Sequence, residues 1–460
     1  MLLEPLPNPE DVAFRQAVFR DLEQPALGGA LRGFGDALAA VRSTLERTAS
    51  MRHPAERDRW VLDALERHDA AVADLWRALD AGPIASAGLA AVRDHVAAFV
   101  ASSAFRRRRA DVAAARAALD GVRYRLRIGQ QLVVVSRERG EPDLAARIRA
   151  TLARLGDGAP APLRVDTFDT LDMNPLQAEV LARVVRLTPE PFARLAATVA
   201  AHQPVVDPGL VAIAADAAWF LAVLDLFAAL RGAGVGWCYP SVAADGTLAA
   251  EGLYELALAR RMAGAGRAVA VSDVSLAPGE RLAVVTGPSQ GGRTTFARAV
   301  GQLHVLAAAG CPVPAASATV PLVDGVRTVF DRPERLDDPG GRLRGELRQV
   351  RSMLAATTGR TLVVANEPFA STTAQDALAL SRELVAAVNG REARMLAVTF
   401  LEELAAAPGA VSLAAAVDAT DPALRTFRFE RRAADGLAYA QALAGRYGLR
   451  ESTIRQGMTR

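Results

Sequence analysis

A glycine-rich segment between an apolar run and a helical pattern has the residue types and spacing of a phosphate-binding loop. Leu282 to Thr286 is apolar and β-branched, as a buried strand requires, and a helical pattern follows Thr294. The segment between them, Gly287-Pro-Ser-Gln-Gly-Gly-Arg-Thr-Thr295, matches G-x-x-x-x-G-K-[ST] with arginine in the lysine position. Backbone N–H groups of such a loop converge on phosphate oxygens, and the helix N-terminus adds its positive end.

The loop therefore predicts a nucleotide-binding site. Thr294 follows the cation position, where a hydroxyl is expected to reach Mg²⁺. The competing interpretation is an ordinary glycine-rich turn from a strand into a helix. The predicted nucleotide contacts are the nine loop residues Gly287, Pro288, Ser289, Gln290, Gly291, Gly292, Arg293, Thr294 and Thr295.

A second polar pair follows another buried strand. Thr361 to Ala365 is hydrophobic and ends in Asn366 and Glu367. Nucleotide-hydrolysing proteins of this type commonly place an aspartate here for Mg²⁺, and some place a glutamate after it to activate water. We therefore expect Asn366 beside Thr294 at the metal and Glu367 as the catalytic residue that orients water. Taken alone, the pair is only a polar strand end.

Two substitutions at this site predict slow hydrolysis. Arg293 keeps the positive charge of lysine but is larger, planar and forked. Asn366 keeps an oxygen ligand but removes a negative charge facing Mg²⁺. Phosphoryl transfer depends on positioning and charge, so both changes should lower the rate. The chain also contains no lysine, since all 54 basic residues are arginines, and this bias offers a second explanation for Arg293.

The elements that would position this site alternate in type. Predicted strands at 281–286, 361–365 and 395–399 alternate with predicted helices at 294–309 and 374–388, which indicates an α/β domain with a largely parallel sheet. Earlier residues have helical spacing and surround one β-like stretch, Arg123 to Ser136. Domains are predicted at 1–155, 163–235 and 250–460, with Gly156 to Pro162 as the clearest linker. Helices before the α/β domain are predicted at 12–22, 34–49, 55–79, 84–119, 176–185, 190–201 and 211–230.

Composition excludes several classes of protein. With 460 residues, 51% hydrophobic and 23% charged, the chain is neither disordered nor fibrous. Two cysteines are too few for a disulfide scaffold, and the five histidines lack metal-ligand spacing. The apolar run Val211 to Leu230 contains Asp216 and Asp225, which favours a buried helix over a membrane span. Because the first residues are also acidic, we expect a cytoplasmic protein with no membrane partner.

Local arginine clusters, and not the net charge of +3, are the candidates for contact with DNA. Arginines 106–109 would spread around a helix, and the default interpretation is a solvated helical face. Alternating arginines in a strand would share one face, a better geometry for a polyanion. The candidate DNA contacts are Arg106, Arg107, Arg109, Arg123 and Arg125.

Several motifs in order together resemble the MutS mismatch-repair family. Residues 286–296 are similar to its TGPNMGGKSTF loop, and 310–315 are similar to its G-x-F/Y-V-P-A segment. Further similarity lies in 362–367, in Ser371 to Thr373 with Asp376, in 395–404 and in 425–447. The resemblance covers roughly 265–455, and the helices before it are similar to a shortened core and lever region.

The resemblance implies an α-helical core and lever region followed by an α/β P-loop ATPase domain of the ABC class. It implies a homodimer that binds ATP, Mg²⁺ and DNA in mismatch repair or DNA-damage sensing, here as a weak ATPase. The alternative is a structural protein that dimerises around ATP without hydrolysing it and recruits a partner. A third interpretation has no nucleotide and folds Arg293 into the empty loop.

Departures from the family pattern refine these expectations. No segment resembles the family's mismatch-reading domain, so we expect little preference for a mispair. Phe400 takes the place of a histidine, and Val269 the place of the aromatic residue that stacks on adenine. The region that the family supplies across its dimer corresponds to Gly341 to Gly345, without an obvious serine.

Overall fold

The computed structural model describes residues 4–129, 132–138, 173–231, 234–288, 291–330, 341–417 and 425–433. The predicted linker 156–162 lies outside these residues. The chain divides into two compact units, each described by itself. The helical unit comprises Asp21–Ala85 and Leu89–Leu221, and the C-terminal unit comprises Met1–Arg20, Ser86–Gly88 and Ala222–Arg460.

Helices begin at prolines and capping residues in the first half of the chain. Proline is the first residue of six of them, where its missing N–H costs nothing. Asn174 and Gln177 form a capping box at the start of one of these helices, which was also predicted from the sequence. The elements are α1 Pro9–Leu22, α2 Pro25–Thr48, α3 Pro54–Ala81, α4 Ala87–Ala101, α5 Ser103–Asp120, β1 Tyr124–Ile128, β2 Val133–Arg137, α6 Pro175–Leu187, α7 Pro189–Ala201 and α8 Pro208–Leu230.

The single helix predicted over 84–119 is wrong, because it is divided at Ser102. Ser102 has extended backbone dihedrals, and its hydroxyl accepts a hydrogen bond from the Phe105 N–H at 3.1 Å. This is an N-cap, which starts α5 as a separate helix. Apolar periodicity continues through the break and therefore concealed it. The core of the helical unit includes Val41, Leu62, Leu65, Val112 and Leu195, all nearly inaccessible to solvent.

The β-like stretch forms the antiparallel hairpin of β1 and β2. Arg125 pairs with Ser136 and Arg127 pairs with Val134. Residues two apart in a strand share a face, so these two arginines project from the same side of the hairpin. The prediction of a strand with alternating arginines is confirmed.

Helix α8 is only partly buried, so the prediction of a buried helix holds for part of its surface. By length and composition it is a candidate membrane span, and 22% of its apolar window is buried. One such helix among the described residues is weak support for a span, since core helices of soluble proteins pass the same test. Its buried side chains include Leu210, Ala217, Leu221, Phe227 and Leu230.

Two sheets organise the C-terminal unit. Its elements, after α1 and α8, are β3 Ser241–Val242, β4 Leu248–Leu253, α9 Leu256–Gly264, β5 Ser272–Leu276, β6 Leu282–Thr286, α10 Arg293–Ala308, β7 Ser317–Val320, β8 Gly325–Phe330, α11 Gly341–Ala355, β9 Thr361–Asn366, α12 Ala374–Asn389, β10 Arg394–Val398, α13 Glu402–Ala405, β11 Ala410–Val417 and β12 Arg425–Arg431. The six-stranded sheet has the order β12-β11-β6-β10-β9-β8, and only β12 runs antiparallel to its neighbour. The four-stranded sheet has the order β3-β7-β4-β5.

Helices on both faces of the six-stranded sheet explain its continuous apolar strands. All five residues of β6 are buried, and four of the five in β10 are buried. Parallel strands covered on both sides read as unbroken hydrophobic runs, so the mixed helix-and-sheet architecture predicted for this region is confirmed. Val398 pairs with Asn366 on one side and with Val285 on the other. The ends of β6, β10 and β9 therefore meet at one edge.

The first residues of the chain belong to the C-terminal unit through backbone contacts. The Leu6 N–H donates at 2.8 Å to the carbonyl of Ala308 in the C-terminal unit. In α1, Gln16 Nε2 donates to the Pro240 carbonyl at 3.0 Å. These contacts join segments more than two hundred residues apart, a grouping that the local sequence pattern does not indicate.

Candidate functional site at the sheet edge

The glycines of the loop are required by its backbone. Gly287 has φ 140°, and a Cβ there would lie 2.5 Å from the Cβ of Ala415. Gly292 has φ 87° and is the N-cap of α10. Gly291 donates its N–H to the Pro288 carbonyl at 3.1 Å, which closes a tight turn. Side chains at the two positive-φ positions would be strained, so the loop is built for backbone contacts with a ligand. Ser289 and Gln290 lie outside the described residues.

Thr294 and Asn366 are brought together as their spacing predicted. The Thr294 hydroxyl donates to Asn366 Oδ1 at 2.9 Å, although the residues are 72 positions apart. The hydroxyl is in the first turn of α10 and the amide at the end of β9. A hydroxyl oxygen and an amide oxygen are hard ligands of the type that Mg²⁺ accepts beside phosphate oxygens and water. The pair therefore fits a Mg²⁺ site with less negative charge than an aspartate would provide.

The Arg293 guanidinium bonds to groups that follow two neighbouring strands. Nη1 donates to the Thr399 carbonyl, just after β10, at 3.0 Å. Nη2 donates to Glu367 Oε1 at 2.6 Å, beyond the end of β9. The arginine is only 8% exposed. These two bonds do not support the interpretation in which Arg293 folds into the empty loop.

Glu367 is held at the same edge by its backbone as well as its side chain. Its N–H donates to the Val398 carbonyl at 2.8 Å, which extends the pairing of β9 with β10 by one residue. Its φ of 49° lies in the left-handed region, which residues other than glycine seldom adopt. Such a conformation persists only where the surrounding contacts hold it. The carboxylate remains one-third exposed, so it is accessible from the site.

An aromatic residue beside the loop was not singled out from the sequence. Phe427 is 46% exposed with φ 57°, and its ring lies 3.2 Å from where a Cβ of Gly292 would be. Phe400, at the next strand end, is 51% exposed. Val269, by contrast, is buried in a cluster with Phe227 and Tyr254. A bulky aromatic residue of positive φ is unusual, but φ cannot be read from residue type, so no sequence signal marked Phe427.

The threonine-rich motif before α12 caps that helix. Thr373 Oγ1 accepts a hydrogen bond from the Asp376 N–H at 3.2 Å and donates to the Asp376 carboxylate at 3.0 Å. The first of these bonds satisfies one of the free N–H groups at the start of the helix, as an N-cap does. Gly341 to Gly345, the region that the family supplies across its dimer, forms the first turn of α11.

The four consecutive arginines of α5 divide by role. Arg106, Arg107 and Arg109 are exposed, whereas Arg108 is buried and pairs with Asp69. Arg108 also donates to the Val205 carbonyl at 3.2 Å and lies over the Phe105 ring. Helix periodicity thus exposes three of the arginine side chains, which can contact a polyanion, and buries the fourth in the core.

The strand arginines differ in exposure. Arg123 is exposed and donates to the Asp120 carbonyl at 2.5 Å, while Arg125 is half-buried in the hairpin. Both lie in the helical unit with the exposed arginines of α5. Within the described ranges there is no group of three or more His, Cys, Asp or Glu suited to a metal ion.

Comparison with known proteins identifies similarity in the C-terminal part. Residues 283–445 match a family model described as MutS domain V. A DNA mismatch repair protein MutS from Erythrobacter litoralis is 31% identical over 188 residues, or 40% of this chain and 21% of that protein. DNA mismatch repair protein MutS 2 of Halobacterium salinarum is 40% identical over 114 residues, or 24% and 13%. MutS from Thermus thermophilus is 30% identical over 191 residues, or 42% and 23%.

The resemblance to the MutS family is thereby confirmed for the C-terminal part of the chain. The matched segments span less than a quarter of the length of these relatives. The matched residues include both parts of the candidate site, the helix start at Arg293–Thr294 and the strand end at Asn366–Glu367.

Proposed function

We propose that this chain binds ATP with Mg²⁺ at the Gly287 to Thr295 loop and hydrolyses it slowly. The observation that carries the proposal is the meeting of Thr294, Asn366 and Glu367 at one edge of the sheet. In this assignment the loop backbone holds the phosphates, while Thr294 and Asn366 hold the metal. Mg²⁺, when bound, neutralises charge that develops on the phosphates. Glu367 would orient the attacking water.

The slow rate follows from the two unusual residues. Arg293 is committed to protein acceptors in this structure, so a phosphate must either compete for its guanidinium or be bound without it. Asn366 supplies an oxygen but no charge. Both features reduce the electrostatic stabilisation on which phosphoryl transfer depends. The ABC-type arrangement of this domain is part of the same proposal.

The wider function that we propose is ATP-dependent DNA binding of the mismatch-repair or damage-sensing type, by a cytoplasmic homodimer. The names of the similar proteins, which are DNA mismatch repair proteins, support it. Exposed arginines on α5 and β1 support contact with a phosphate backbone. A second candidate, a nucleotide-binding protein that dimerises and recruits a partner without hydrolysis, is favoured by the neutral Asn366.

The test of nucleotide binding is Gly292→Asp with Gly279→Asp as its matched control. Both glycines have nearly equal positive φ, 87° and 85°, so the backbone strain of the substitution is similar. Gly279 lies in open space and precedes β6, so it is at the opposite end of that strand from the loop. Only at Gly292 would the new carboxylate meet phosphates. We expect calorimetry to show ATP binding lost in Gly292→Asp and retained in Gly279→Asp.

Equal ATP affinity in Gly292→Asp and the unmodified chain would contradict the proposed site. Phosphate release in the presence of Mg²⁺ and ATP separates the two candidate functions. A measurable turnover that is absent in Glu367→Gln supports the weak ATPase. Binding without turnover supports the recruitment protein.

A further inference from the structure

Arg293 is the point where this site differs most from a lysine-containing phosphate loop. Two acceptors, the Thr399 carbonyl and Glu367 Oε1, hold its guanidinium at 3.0 and 2.6 Å. The two acceptors follow two neighbouring strands, since Thr399 comes just after β10 and Glu367 just after β9. Arginine is suited to this pair because its planar fork can donate to two acceptors at once.

The ion pair between Arg293 and Glu367 joins the two charged groups that the proposed hydrolysis needs. Glu367 is held in one orientation while its Oε1 accepts from Arg293. Arg293 cannot donate the same N–H groups to a phosphate while they are bound to the strand ends. The guanidinium is almost fully buried, so its charge is compensated by Glu367 and not by water.

We propose that the phosphates of ATP and the carboxylate of Glu367 compete for Arg293. Nucleotide binding then releases Glu367 from its partner, so the water-orienting carboxylate becomes available only when a phosphate has taken the guanidinium. This rests on the proposed nucleotide site and assigns a regulatory role to the arginine within it. The arginine thus couples occupancy of the loop to the state of Glu367.

Competition predicts a gain of ATP affinity when the carboxylate is removed. Glu367→Gln replaces a charge-assisted bond by a weaker neutral one, which lowers the cost of moving Arg293 to a phosphate. We expect ATP with Mg²⁺ to bind roughly tenfold tighter to Glu367→Gln than to the unmodified chain. The matched control is Glu402→Gln, which removes one exposed carboxylate three residues after Thr399, in the first turn of α13. Its ATP affinity should be unchanged.

A double-mutant cycle distinguishes competition from simple repulsion between Glu367 and the nucleotide. If the effect passes through the guanidinium, Glu367→Gln should leave the ATP affinity of Arg293→Met unchanged. Arg293→Lys is a second background, useful if Arg293→Met binds too weakly. Its compact ammonium lacks the fork that holds both strand ends, so the gain from Glu367→Gln should shrink there.

The outcomes separate this inference from the function on which it rests. If no variant binds ATP by calorimetry, the nucleotide site and the competition are both wrong. If the unmodified chain binds ATP but Glu367→Gln binds it no tighter, only the competition is overturned. An equal gain in the Arg293→Met or Arg293→Lys background also overturns it, in favour of direct repulsion. A gain confined to chains that carry Arg293 supports it.

Discussion

Arg293 and Thr294 are adjacent in the chain, and both side chains reach the end of β9. Thr294 bonds to Asn366, whereas Arg293 bonds to Glu367 and also to the Thr399 carbonyl after β10. The first arrangement prepares oxygen ligands for a metal. The second removes a cation from the loop in which a lysine is expected. The chemistry proposed for this site therefore depends on how two residues at one helix N-terminus divide their bonds.

Restoring the usual residues should raise the rate of hydrolysis. Arg293→Lys and Asn366→Asp act on the same phosphate and metal, so together they should raise turnover more than either alone. Displacements of about 1 Å change rates by about 100-fold, so we expect at least a roughly tenfold gain in the double variant. Steady-state phosphate release on the unmodified chain, the two single variants and the double variant measures this.

Glu367→Gln is the reference for background in that experiment, because turnover should be abolished in it. A turnover near ~1 s⁻¹ in the unmodified chain, with no gain from either restoration, would contradict the assignment. Arg293 would then be a competent substitute, and the absence of lysine from the whole chain would explain it.

At the scale of single elements, α5 shows how one helix turn separates two roles. Arg108 is buried against Asp69, within hydrogen-bonding distance of His68 Nδ1 at 2.9 Å. Arg107, one residue earlier, is exposed. A rotation of 100° per residue is enough to take one arginine into the core and leave its neighbour in solvent.

Arg108→Ala should therefore destabilise the protein while Arg107→Ala should not. Removing one partner of a buried ion pair leaves the Asp69 charge uncompensated, at a cost of about 3–5 kcal/mol. An exposed substitution usually changes the free energy of unfolding by less than about 0.5 kcal/mol. Thermal unfolding of both variants, followed by circular dichroism, tests this. Similar losses in the two variants would show that Arg108 is not the buried partner described here.

For the whole molecule, DNA binding is expected to depend on phosphate contacts. Exposed arginines at 106, 107, 109 and 123 carry the charge, and each neutralised phosphate contributes about 0.9 to the slope of log affinity against log salt. Replacing Arg106, Arg107 and Arg109 by alanine should reduce that slope by up to about 3. Arg382→Ala, an exposed arginine of α12 in the C-terminal unit, is the control and should not change it. Fluorescence anisotropy across a salt series is the measurement.

The same contacts predict equal binding of matched and mispaired duplexes, because phosphates carry no sequence information. Anisotropy with two duplexes that differ by one mispair tests this on the chain described here. A preference above about 30-fold, roughly 2 kcal/mol, would show that the protein reads the mispair directly.

Much of the fold was predictable because local sequence patterns specify its strands, helices and loop. The apolar runs of β6 and β9, the glycines before α10 and the helical spacing around them indicate a parallel sheet with a loop at its edge. The meeting of Thr294 with Asn366 follows from the same rule, since parallel strands place their ends together. Family resemblance over the C-terminal part added the expected roles.

The sequence by itself thus determined the loop, the strand ends and the residues gathered there. Only the tertiary structure decided which bonds those residues form. Whether Arg293 bonds to a phosphate or to Glu367 depends on which acceptors the fold places around its guanidinium. Whether Arg108 is a surface charge depends on Asp69 lying opposite it. The position of Phe427 depends on a backbone angle. These outcomes arise between residues distant in the chain, and local periodicity carries no information about such pairs.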